Sequence, residues 1–304
     1  MKRLLILFFL LTANNLFGMQ ASALLPAMYN ASYFIVPNYR FLYDAWIRVF
    51  QTHQFSQMQL PTVEDMRSVD FPEQTKAIIK KNVQKMGINK NLQLYSHSSE
   101  SAGTAAYNLL AFNPKLINLH PQEEQEFICK HELTHIKNRD FEKSTLLSAT
   151  LPIISFGALK LAQNALATFI SKYAASGRFA KSLSMAPLLV NNIFTYYLLN
   201  LSIWSLNSKM QEYNADAGAI DSPDMGPAAI KAFMRMNKPD YKEVQNKCDE
   251  DESKNLWEKA RNLYNYVDKW LHLQSHPSDW NRYLAINEKL KQEFGKEITG
   301  ISKV

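Results

Sequence analysis

Apolar and polar positions alternate with two different periods along the chain, and the helical period of 3.6 residues dominates. Residues 73–85 show an amphipathic helical pattern that ends at Gly87. A second helix is expected after Pro121, because three glutamates follow within its first turns, where negative charge is favourable. Three further helices with Lys and Glu on their outer faces are predicted at 227–237, 255–274 and 279–294.

Short strands are predicted between the first two helices. Residues 91–95 and one or two segments of 107–119, broken at Pro114, have the apolar composition of buried strands, and a polar loop is expected at 98–104. A strand at 116–119 would lead directly into the helix after Pro121. Its edge would then lie beside that helix and could bind an extended peptide as an added strand. An ordinary buried strand is the alternative interpretation.

Two longer apolar stretches follow, at 146–170 and 183–206. Each is long enough to cross a membrane, but Lys160 in the first and Pro187 in the second interrupt the apolar run. A basic segment, 172–181, separates them, as in cytoplasmic loops. The stretch 146–206 is therefore either a pair of membrane-spanning helices or an apolar helical hairpin that does not cross.

The N-terminus has the pattern of an export signal. Lys2 and Arg3 precede an apolar run at 4–11, and Ala-Ser-Ala at 21–23 resembles a cleavage site. Residues 1–23 are thus expected to be a signal peptide, either cleaved or kept as an anchor. The protein is then exported, and it is periplasmic or bound to the inner membrane with its functional site outside the cytoplasm.

Composition adds little to this picture but excludes some classes. The net charge is +6, and the basic residues are scattered and accompany no nucleic-acid-binding motif, so no nucleic-acid partner is expected. Cys129 and Cys248 are the only cysteines, which excludes a fold held by several disulfides.

The candidate chemistry lies in the pentapeptide His-Glu-Leu-Thr-His at 131–135. His131 and His135 are four residues apart, so on a helix both imidazoles lie on one face and can bind one metal ion. Glu132 points about a quarter-turn away, where its carboxylate can take a proton from a water molecule activated by that metal. The spacing predicts a helix-borne zinc hydrolase site.

A catalytic zinc site usually has three protein ligands. The pattern with a third histidine six residues after the second is excluded, because Phe141 is at that position. Glu212 can complete the site, and Asp216, one turn later, can accept the free ring N–H of a ligand histidine. An exposed acidic pair is the alternative interpretation of these two residues.

The two motifs together, with an apolar hairpin between them, resemble the HtpX-like family of zinc metallopeptidases, which includes the CAAX prenyl endopeptidases. The resemblance covers about 70–290 and extends to Ser-His-Pro-Ser at 275–278. It implies that His276 lines the cleft and stabilises the oxyanion, and that Arg282 supports the acidic ligand helix. Thr134 stands where family members often carry glycine.

The resemblance implies an α+β, predominantly helical fold, with a gluzincin-like core and a small sheet beside the motif helix. The expected organisation is a wrapping segment at 24–70, a peptidase domain at 71–296 and a tail at 297–304. The expected function is that of an endopeptidase with one Zn²⁺ per chain, which cleaves membrane-associated or misfolded polypeptides. A catalytically inactive zinc-binding chaperone or scaffold at the membrane is the alternative.

Overall fold

The structure is a computed structural model that describes residues 49, 59–89, 91–98, 101–173, 200–250 and 277–298. These residues form a predominantly helical α+β fold with one small sheet, in agreement with the predicted fold class. The strands are β1 Gln93–Ser96, β2 Gly103–Ala106 and β3 Leu109–Phe112. The helices are α1 Glu73–Met86, α2 Pro114–Ile117, α3 Gln122–Asn138, α4 Asp140–Tyr173, α5 200–219, α6 Met225–Met236, α7 Pro239–Glu250 and α8 Asp279–Phe294.

The sheet has the order β1-β3-β2, with β1 parallel and β2 antiparallel to β3. All four residues of the central strand β3 are buried. The outer edge of β1 is covered by the segment before α1, since the Leu94 N–H donates to the Pro61 carbonyl at 2.8 Å and the Val63 N–H donates to the Leu92 carbonyl at 3.1 Å. The opposite edge is β2, which packs on α3.

The predicted strand at 116–119 is wrong, because the short helix α2 occupies 114–117. The Asn113 side chain accepts a hydrogen bond from the Lys115 N–H at 3.0 Å, and Pro114 supplies a helical φ at the first position. Leu116 and Ile117 are buried by this turn. The edge strand lies instead at β2, within and after the predicted loop at 98–104.

One hydrophobic core joins the sheet to α1, α3, α6 and α8. Phe127 and Leu133 of α3 are buried at its centre, and Phe127 packs edge-to-face on Phe233 of α6 with ring centroids 5.6 Å apart. Full burial of such side chains stabilises the fold by about 1.5–3 kcal/mol each. Helix α1 ends at Gly87, whose φ of 67° is left-handed, so the predicted helix end is confirmed.

The described residues divide into two compact units, one within 46–147 and 201–304 and the other within 148–200. None of the helices in the described part of the chain combines the length and hydrophobicity that crossing a bilayer requires. The signal at 1–23, most of the wrapping segment 24–70, most of the second apolar stretch and the predicted helix 255–274 lie outside the described residues.

Candidate metal centre

The motif histidines lie side by side near the C-terminal end of α3. Pro121 precedes this helix, Glu123 and Glu124 lie in its first turn, and Arg139 ends it in a left-handed conformation with a φ of 56°. The Nε2 atoms of His131 and His135 are 3.1 Å apart, and the two rings meet at 85°. Both imidazoles therefore face one point.

Glu212 of α5 comes much later in the sequence, but its carboxylate lies at the same point. Its Oε2 lies 3.5 Å from His131 Nε2, and its Oε1 lies 3.7 Å from His135 Nε2. Ligand atoms of all three residues fall within 4.8 Å of one another. The alternative interpretation of Glu212 as an exposed carboxylate is excluded, because the residue is only 8% exposed.

The donor set fits a zinc ion. Two imidazole nitrogens and one carboxylate oxygen are typical zinc ligands that leave a fourth position for water or substrate. The Nδ1 atom of His131 lies 2.9 Å from Asp216 Oδ1, and Nδ1 of His135 lies 2.9 Å from Asp140 Oδ2. Each Nδ1–H can donate to a carboxylate, which turns the Nε2 lone pair toward the shared point.

The electrostatic surroundings also favour a cation there. Burial lowers the pKa of His131, but its hydrogen bonds to Asp216 and Glu212 outweigh burial and raise the pKa to about 10. Positive charge is thus stabilised at this imidazole. A bound metal ion can supply that charge in place of a proton.

Asp140 is a functional candidate that the sequence analysis missed. It is the first residue of α4, directly after the left-handed Arg139, and this reversal of the backbone brings its carboxylate back to His135. Asp140 is buried, with 5% exposure. An acidic residue five positions after the second histidine was the available signal. The contact between Asp140 and His135 depends, however, on a turn at Arg139, and no Gly or Pro in the sequence predicts a turn there.

We expect replacement of Asp140 by Asn to lower metal affinity about 10–100-fold, the usual effect of losing a partner of a ligand histidine. The amide keeps the shape of the side chain but not its charge, so His135 becomes a weaker ligand. Competition with a chromophoric zinc chelator measures the change. Glu142→Gln, a charge loss in the same helical turn, is the control and should leave the affinity unchanged.

Asp216 connects the ligand histidine to Arg282 of α8. Arg282 Nε and Nη2 donate to the two oxygens of Asp216 at 2.7 and 2.6 Å. Burial raises the pKa of Asp216, but the hydrogen bonds from Arg282 and His131 outweigh it, and the net shift is downward. The Arg282 guanidinium also lies 4.2 Å from the ring centre of Phe233. His276 lies outside the described residues.

Glu132 follows His131 on α3 and lies beside the edge strand β2. Burial raises the pKa of its carboxyl group, and the imidazoles of His131 and His135 oppose that shift. A Cβ placed on Gly103 of β2 would lie 3.1 Å from Glu132 Cγ, so the strand passes directly beside this side chain. Both residues line a cleft of about 730 Å³, to which β2 and the helices α3 to α8 contribute.

Comparison with known proteins identifies a peptidase family. The model of peptidase family M48 matches residues 73–290. Protease HtpX of Mannheimia succiniciproducens is 26% identical over 164 residues, which are 51% of this chain and 56% of the relative. Protease HtpX of Pasteurella multocida is 26% identical over 144 residues, 45% and 47% of the two chains. The chain thus spans about half the length of the curated relatives it matches. No solved structure is significantly similar to it.

Proposed function

The chain belongs to peptidase family M48, and on this basis we propose that it is a zinc-dependent endopeptidase. The observation that carries the proposal is the convergence of His131, His135 and Glu212 within 4.8 Å, in the cleft that Glu132 and the edge strand β2 also line. The similar proteins from M. succiniciproducens and P. multocida are named proteases, which supports peptide-bond cleavage rather than another hydrolysis.

One Zn²⁺ per chain would be held by His131, His135 and Glu212. When bound, zinc polarises a carbonyl group and makes a neighbouring water more acidic. Asp216 and Asp140 hold the two imidazoles in the orientation and tautomer that ligation needs, since each accepts from an Nδ1–H at 2.9 Å. Arg282 keeps the buried Asp216 ionised and in place.

Glu132 would act as the general base and then the general acid. Its carboxylate takes a proton from the attacking water and delivers it to the amine of the departing peptide fragment. The side chain directly follows His131 in sequence and lines the same cleft as both imidazoles, so it can reach a water molecule placed between the metal ligands and a bound carbonyl group.

The polypeptide substrate would bind in extended form along β2. Antiparallel ladders alternate between residues whose backbone groups bond the neighbouring strand and residues whose groups point away. Because the Asn113 N–H donates to the Ala102 carbonyl, the backbone groups of Gly103 and Ala105 are directed away from β3. Both residues line the cleft, so a peptide can pair with this edge beside Glu132.

The site would face the periplasm or the outer side of the inner membrane, and the substrates would be membrane-associated or misfolded proteins. The charged and apolar pattern of residues 2–11 supports export. The location can be tested by fusing, after residue 298, a reporter that is active only outside the cytoplasm. An inactive reporter would contradict export of the site. Carbonate extraction distinguishes protein that is embedded in the membrane from protein that is not.

Metal removal tests the function directly. Purified protein should contain one zinc per chain and cleave unfolded casein, and chelation should abolish cleavage because the proposed chemistry depends on the metal. Stoichiometric zinc should restore it. Cleavage that persists in the chelated, zinc-free protein would contradict the proposal, as would a zinc-loaded protein that cleaves neither casein nor any member of a peptide library.

A further inference from the structure

The two ligand helices touch at a pair of residues outside the metal-binding set. A Cβ built on Gly218 of α5 would lie 2.5 Å from Thr134 Cγ2, 2.8 Å from Thr134 Oγ1 and 3.2 Å from Thr134 Cβ. Separations below 3.0 Å are too short for carbon atoms in contact, so only glycine fits at 218 with the helices at this distance. Thr134 therefore packs directly on the backbone of α5.

Thr134 cannot easily turn away from this contact. It is buried, with 4% exposure, and its hydroxyl donates to the Lys130 carbonyl at 2.8 Å. A β-branched side chain in a helix also has few permitted rotamers. An added methyl group at 218 must then be accommodated by moving one helix relative to the other.

The position of the contact makes such a movement matter. Thr134 lies between His131 and His135 in the motif, and Gly218 lies six residues after Glu212 and two after Asp216. The Glu212 carboxylate on α5 lies 3.5 and 3.7 Å from the two imidazoles on α3, so these distances also depend on the separation of the two helices. A shift of several tenths of an ångström at the contact changes those distances directly.

We propose that the contact between Thr134 and Gly218 sets the spacing of the two ligand helices and thereby the metal affinity of the His131, His135 and Glu212 site. The proposal rests on the function proposed above. It makes Thr134 and Gly218 positioning residues, since they act through the metal ligands and touch neither metal nor substrate.

The test is zinc affinity of the full-length protein, measured by competition with a chromophoric chelator. Gly218→Ala should weaken zinc binding at least tenfold. This direction is informative, because Gly218 is an exposed helical residue and Gly→Ala at such positions ordinarily stabilises a helix. Gly157→Ala is the matched control, since a Cβ there meets no atom of the described residues within 4 Å, and zinc affinity should not change.

Rescue separates a spacing effect from a general loss of stability. Thr134→Gly removes the three atoms that lie nearest to the new methyl group, so the double variant Thr134→Gly with Gly218→Ala should bind zinc within about threefold of Thr134→Gly alone. The inference would be overturned if Gly218→Ala bound zinc as tightly as wild type, or if the double variant bound zinc as weakly as Gly218→Ala alone. Either result would leave the proposed function intact as long as the wild-type protein binds zinc. Absence of zinc binding by the wild-type protein would overturn both.

Discussion

Replacing Glu132 with Gln should lower kcat/KM for a peptide substrate by about 10³-fold, within the usual contribution of general acid–base catalysis. The amide has nearly the shape of the carboxylate but cannot accept the proton of the attacking water. Zinc content should stay at one per chain, because His131, His135 and Glu212 are unchanged. Single-turnover cleavage of a fluorogenic peptide and metal analysis of the same sample measure the two effects.

Glu123→Gln is the matched control for this experiment, since it makes the same change on an exposed position of the same helix. It should alter neither rate nor zinc content. The Glu132 variant also separates a peptidase from a zinc-binding scaffold, because a scaffold needs no base. If the variant cleaves as fast as wild type, the assigned mechanism is wrong.

Replacing Glu212 with Ala should lower zinc affinity by more than about 100-fold, beyond the effect expected for a residue that only supports a ligand. The carboxylate is the proposed third ligand, and among the described residues it is the only member of the candidate ligand set that α5 supplies. Its loss leaves two imidazoles, which hold zinc weakly. Cleavage at limiting zinc should fall in parallel, and competition with a chelator measures the affinity.

Thermal unfolding provides a second measurement of the same variant. Zinc that binds only the folded chain raises the melting temperature with concentration. Wild type should show this increase, and Glu212→Ala should lose most of it at the same zinc concentration. Asn214→Ala, an exposed change on the same helix, is the control and should retain the increase. A full zinc-dependent increase in Glu212→Ala would show that another group completes the site.

The arrangement of the site depends on tertiary contacts more than the fold class does. Asp140 reaches His135 only because Arg139 adopts a left-handed turn, and Arg282 reaches Asp216 from 66 residues away. The acidic residue at 140 is visible in the sequence, but neither contact follows from a local helical or strand period. The edge strand β2 was missed for a related reason, since Gly-Thr-Ala-Ala lacks the large apolar residues that identify a strand.

What the sequence alone determined was local. The spacing of His131 and His135 follows from the helical period, the end of α1 follows from Gly87, and the bounds of α8 follow from apolar periodicity between Ser278 and Gly295. The tertiary structure decided which strand edge adjoins Glu132 and how closely the two ligand helices approach. Those distances depend on packing between segments far apart in the chain, which no local period encodes.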